Sequence, residues 1–115
     1  MADDVVEAVA DILSGVARRG TTITYAQLLE ALAERDPDLR ALAESDLATA
    51  LRSVSTREDE AGRGLLTAVV VRRSSGLPGG GFFRLAAERG RAVEDRSAAW
   101  STELARVHAA HSARG

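Results

Sequence analysis

Leu65-Leu-Thr-Ala-Val-Val-Val-Arg-Arg-Ser-Ser-Gly-Leu-Pro-Gly-Gly-Gly-Phe-Phe83 is the stretch on which the fold turns. Leu65 to Val71 is apolar or β-branched, too short for a typical helix and bounded by turn signals, so it reads as a largely buried strand. Arg72 to Gly81 carries Gly76, Pro78 and three consecutive glycines, which no regular element tolerates; it reads as a long hairpin loop. Phe82 and Phe83 return the chain to the core. Phe82, Leu85 and Ala86 have helical spacing ended by Gly90, so the returning strand is very short and passes into a fourth helix.

Upstream, Val5, Val6, Val9, Ile12, Leu13 and Val16 recur at the three-and-four spacing of an amphipathic helix, with Arg18 and Arg19 in its last turn and Gly20 as its stop. Thr21 to Thr24 is β-branched and short, a small strand leading into a second helix. Thr24 and Gln27 form a capping box: the hydroxyl accepts from the Gln27 amide, and the Gln27 side chain reaches back to the Thr24 amide. Tyr25, Leu28, Leu29 and Leu32 share one face of that helix, which ends at Asp36-Pro37-Asp38 because proline disfavours helical geometry in the residue before it. Leu39 to Ala43 is a connecting turn.

Ser45 is the expected N-cap of a third helix, with Asp46 favourably placed against its dipole and Leu47, Leu51 and Val54 as its buried stripe. Gly62 and Gly64 close it. A last helix from about Ser97 puts Trp100, Leu104, Val107 and His111 on one face. No repeat or linker divides the chain, so 1–115 is expected to be one domain, with its core over 1–83 and a helical extension over 84–115.

Composition narrows the chemistry. A chain of 115 residues can bury most of its apolar surface, and with Tyr25, Phe82, Phe83 and Trp100 as the whole aromatic complement the core must come from Leu, Val and Ala. There is no cysteine, which excludes disulfides, thiolate nucleophiles and Cys-ligated zinc. Asp3, Asp4, Glu7 and Asp11 interrupt every apolar window near the N-terminus; neither a signal peptide nor a membrane span is expected, and the expected location is cytoplasmic. Every basic residue is arginine, which with the alanine richness matches the codon bias of a GC-rich bacterial genome.

Net charge is −2, so the whole molecule has no general attraction to nucleic acid. The distribution is uneven: residues 1–17 hold four acids and no base, whereas 62–91 hold six arginines against Glu88 alone. Any anion-binding face belongs in the second segment.

Up to Phe83 the order of elements resembles a winged helix-turn-helix domain, an α+β fold in which helices two and three form the helix-turn-helix and a small β-hairpin forms the wing. Thr21 to Leu29 is also similar to the start of the DNA-binding domain of alkylguanine-DNA alkyltransferases and alkyltransferase-like proteins. The Pro-Cys-His-Arg reaction centre of the enzymes, and its Trp variant, have no counterpart, so transferase activity is not implied. The Pro78 to Phe83 loop, followed by Trp100 and Leu104, resembles small bacterial and phage proteins with a Pro-Gly-x-Gly-Phe-Phe loop, which carry no established activity.

The winged-helix resemblance implies double-stranded DNA as partner. The third helix would offer Thr49, Arg52, Ser53, Thr56 and Arg57 to phosphates and base edges, though the same residues read equally as a solvated face and the acids Glu58 to Glu60 repel phosphate. The loop would track the minor groove with Arg72, Arg73, Ser74 and Ser75, with Arg63 nearby; the alternative is a hairpin tip charged for solubility. Gly79 to Gly81 lacks the residues of a nucleotide loop, and His108 and His111 have no acidic or cysteine ligand in their helical turn, so no cofactor and no metal are expected. No spacing pairs a nucleophile with a base. Phe82, Phe83 and Trp100 read as core anchors, or as a partner-binding patch.

The leading expectation is therefore a non-catalytic DNA-binding winged-helix protein, a transcriptional or phage- or defence-related regulator, dimeric through Trp100, Leu104 and Val107. The rival is a winged-helix module that binds a protein partner instead of DNA, through its acidic first helix or its loop.

Overall fold

The computed structural model describes residues 2–112; Met1 and 113–115, the last of which end the expected extension, lie outside them. Helix α1 (Ala2–Arg18) buries Val5, Val9, Leu13 and Val16 on one stripe, and Gly20, at φ +69°, turns the chain out of it. After the two-residue strand β1 (Ile23–Thr24) the capping box forms as expected: the Gln27 amide donates to Thr24 Oγ1 at 3.1 Å, and the Thr24 amide to Gln27 Oε1 at 3.0 Å. It opens α2 (Tyr25–Arg35), which buries Leu28 and Leu32 but leaves Leu29 40% exposed.

A first 3-10 helix (Pro37–Ala41) follows, its start held by the Asp36 carboxylate, which accepts from the Asp38 amide. Helix α3 (Glu44–Glu60) buries Leu47, Leu51 and Val54, the stripe read from the sequence. Its N-cap is Ala43 rather than Ser45, and no side chain caps it. A second 3-10 helix (Leu66–Val69), strand β2 (Val70–Val71), α4 (Gly80–Glu88) and α5 (Arg96–Ser112) complete the chain.

The winged helix is corrected by the strands. β1 and β2 are two residues each and run parallel, Ile23 opposite Val70 and Thr24 opposite Val71, so the described residues contain no β-hairpin wing and the protein is a mostly helical fold. The returning strand is absent; Phe82 and Phe83 are both buried, on the first turn of a helix. With Leu85 and Ala86 they form one helical stripe, and α4 begins directly after Gly79. Nor do α2 and α3 make a helix-turn-helix pair: α3 packs chiefly on α1, while α2 packs on the first 3-10 helix.

The segment read as a buried strand is buried but mostly not a strand. Leu65 to Val71 runs between α1, α3 and α5, where β1 offers two residues of ladder. Buried backbone groups without a ladder need other partners. The Ala68 amide donates to Leu65 O within the 3-10 turn, the Thr67 amide to Ser55 Oγ at 2.9 Å, and the Leu65 amide to Glu103 Oε2 at 2.8 Å. Trp100 Nε1 donates to Ala68 O at 2.8 Å.

Helices α4 and α5 share the core rather than standing beside it, for Phe82, Phe83, Leu85, Ala86 and Val107 belong to the same buried cluster as the α1 and α3 stripes. Phe82 and Phe83 meet edge to face, and the Arg96 guanidinium lies 4.8 Å above the Phe83 ring, joining α5 to α4. No helix among the described residues is long and apolar enough to cross a membrane.

Candidate anion-binding surface

Because β1 and β2 are parallel, the ends of both strands, Thr24 and Val71, face the same side of the molecule. There α2 begins, the loop of 72–79 leaves and α4 begins. The loop closes on itself: the Arg72 amide donates to Leu77 O and the Gly76 amide to Arg72 O, both at 2.8 Å, with Gly76 at φ +72°. Ser75 is tied to Leu77 through its hydroxyl, whereas Arg72, Arg73 and Ser74 are exposed.

Gly79 is buried beneath two side chains: a β-carbon there would stand 3.2 Å from Arg72 Nε and 3.4 Å from Tyr25 Oη, so the Arg72 guanidinium and the Tyr25 hydroxyl both lie close to the Gly79 backbone. Gly79 caps α4 without a side chain, and the first turn of α4 holds no acid. A depression of about 190 Å³ beside it is lined by Tyr25, Arg52, Thr67, Gly81 and Arg84, with Leu51 and Phe82 as its apolar floor. Arg52 and Arg84 thus line the depression, Arg72 lies beside it across Gly79 from Tyr25, and Arg73 follows Arg72 on the exposed loop.

Among the described residues Arg72, Arg73 and Arg84 form no ion pair; Arg52 pairs with Glu88, the one acid of that segment. The other three arginines of 62–91 are spent inside the protein. Arg63 grips Glu58 with two bonds of 2.9 and 2.7 Å, and Arg91 bridges Asp59 and Glu103, with Arg89 also on Asp59. The acids expected to repel phosphate at the end of α3 are largely neutralised in this way; Glu60 alone of the three is exposed.

The remaining residues expected on a DNA-reading helix divide between two flanks. Thr49 and Ser53 line a different groove, on the side of α3 away from Arg52, and Thr49 Oγ1 donates back to Ser45 O. Thr56 is half-buried, and Arg57 pairs with Glu7 of α1 at 2.9 Å. Arg63 lies at the far end of α3 with its carboxylate. Arg52 is brought to Arg84 and Tyr25 at the depression, with Arg72 against Tyr25 at Gly79 and Arg73 next to it in the loop; Arg84 and Tyr25 carry no local sequence signal, because the packing of α3 on α4 brings them here.

Of the expected dimer residues, Val107 is fully buried and Trp100 and Leu104 are half-buried against the chain's own core. The histidines do not share a metal position: His108 Nε2 lies 3.0 Å from Thr21 O, while His111 Nε2 lies 3.5 Å from Glu58 Oε1. The described residues hold no group of three side chains suited to a metal. Ser14, His111 and Glu58 do line one cavity of about 280 Å³. A hydrolase base presents one ring nitrogen to its acid and the other to the nucleophile, but here Nδ1 of His111 lies 3.2 Å from Val107 O. Compared with known proteins, the chain matches no family, no curated protein and no solved structure.

Proposed function

We propose that the chain is a non-catalytic module that holds double-stranded DNA by its phosphate backbone, through the surface of Arg52, Arg72, Arg73 and Arg84. The observation that carries this reading is the separation of the six arginines of 62–91 into two sets: Arg63, Arg89 and Arg91 close on Glu58, Asp59 and Glu103, while Arg72, Arg73 and Arg84 stand exposed without an acid. Exposed cations without local partners meet phosphate at little desolvation cost, and Gly80 and Gly81, where a β-carbon would meet nothing within 4 Å, leave the backbone open to a strand. The Tyr25 hydroxyl, beside Gly79, adds a donor. Backbone holding of this kind carries little base specificity.

Three or four phosphate contacts give a logarithmic salt dependence with a slope of about −3. Anisotropy titrations of a labelled duplex across a salt series measure it. Arg72→Ala/Arg73→Ala/Arg84→Ala is expected to weaken binding by about tenfold or more and flatten the slope, with Arg40→Ala, on the first 3-10 helix, as a silent control. Absence of binding at low salt, a flat salt response, or a triple variant that binds as well as the parent would each overturn the reading.

A further inference from the structure

On the flank of α3 opposite the arginine surface lies a groove of about 610 Å³ between the start of α1, the first 3-10 helix and the first turns of α3. Its floor is apolar: Val5 and Val6 from α1, Leu39 and Leu42 from the 3-10 segment, Ala50 from α3. Asp38 and Asp46 line its edges, and no arginine or histidine lines it at all. The elements around its mouth add Asp4 on α1 and Glu44 in the first turn of α3, both exposed. Arg40 is exposed on the same 3-10 helix but does not line the groove.

We propose that this groove docks a basic amphipathic helix of a protein partner. An apolar floor takes a row of aliphatic side chains spaced at one helical face, and the acidic edges pair with lysine or arginine flanking that row. The charge sign excludes nucleic acid as occupant, since the edges repel phosphate. A strand has nothing to join here, because the lining comes from helices and the two-residue link 42–43, and neither strand among the described residues lines it. A second copy of the chain lacks the ridge to fill it: the one large hydrophobic side chain exposed among the described residues is Leu29.

The test uses two synthetic helical peptides of about four turns with the same leucine stripe, one flanked by lysine and the other by glutamate. Amide shifts of the labelled protein are followed during titration. The basic peptide is expected to perturb Val6, Leu42 and Thr49 first, and the acidic peptide to bind about tenfold more weakly or not at all. Asp38→Lys/Asp46→Lys is expected to reverse that preference. Leu42→Lys, at a half-buried position, and Ser53→Trp, at an exposed one, each block the groove, so one unfolded variant does not remove the test. Equal binding of both peptides, shifts centred elsewhere, no binding of either, or dimerisation abolished by Leu42→Lys would overturn the proposal.

Discussion

Glu103 joins α5 to two other parts of the interior. Its carboxylate is 1% exposed, accepts from the Leu65 amide, and takes two bonds of 3.0 Å from Arg91. Arg91 carries the charge onward to Asp59, so a buried carboxylate, a guanidinium and the amide that opens the second 3-10 helix form one network. Gly64 precedes that amide at φ +86°, where a β-carbon would stand 3.0 Å from Glu103 Oε2. Glu103→Ala leaves Arg91 short of a partner and the Leu65 amide without one, a loss of about 3–5 kcal/mol. Two carboxyls nearby also tie the fold to pH. The hydrogen bonds from Arg63 hold Glu58, and those from Arg91 then Arg89 hold Asp59, below their ordinary values of 4.5 and 3.8, against the opposing effect of burial. Both give up their protons more readily folded than unfolded, so their stabilisation is complete above those values and fades as pH falls through the depressed ones. The midpoint of thermal unfolding is therefore expected to drop as pH falls from about 5 to about 3, and Asp59→Asn to flatten that acid limb in circular dichroism melts.

Single elements test the local rules. The box at Thr24 satisfies two amides at the start of α2, so Thr24→Ala is expected to cost about 1 kcal/mol in urea unfolding without changing the slope of the transition. That box, the α1 and α3 stripes and the end of α2 at Pro37 were legible because capping and helical spacing depend on neighbours in sequence. The direction of β2 was not legible, since Leu65 to Val71 looks alike whether its partner runs parallel or antiparallel. Its 3-10 form was hidden for a related reason: Ser55, Glu103 and Trp100 supply its hydrogen bonds from two distant helices. The arginine surface was half legible. Arg72 and Arg73 stand out in the chain, but that Arg63 belongs to Glu58 and that Arg84 faces the same way as Arg52 depend on the packing of α3 against α4.

For the whole molecule, charge divides across α3. Residues 48, 51 and 52 face the arginine depression, and residues 46, 49, 50 and 53 face the acidic groove, on opposite flanks of one helix. The two surfaces share no lining residue, so their functions separate. Leu42→Lys is expected to leave duplex affinity within about twofold, and Arg72→Ala/Arg73→Ala to leave binding of the basic peptide within the same range; coupling of about 1 kcal/mol or more in either titration would contradict this separation.

The parallel pairing of Ile23 with Val70 also bears on how the chain assembles. A helix forms from contacts close in sequence, but these two strands meet across α2 and α3, and such distant partners join late because loop closure must precede any gain. Arg72, Arg73 and Arg84 lie beyond β2, on the loop and helix that follow it, and Arg52 lies before it on α3. An emerging or partly folded chain therefore carries those charges without the packing of α3 on α4 that sets Arg52 beside Arg84.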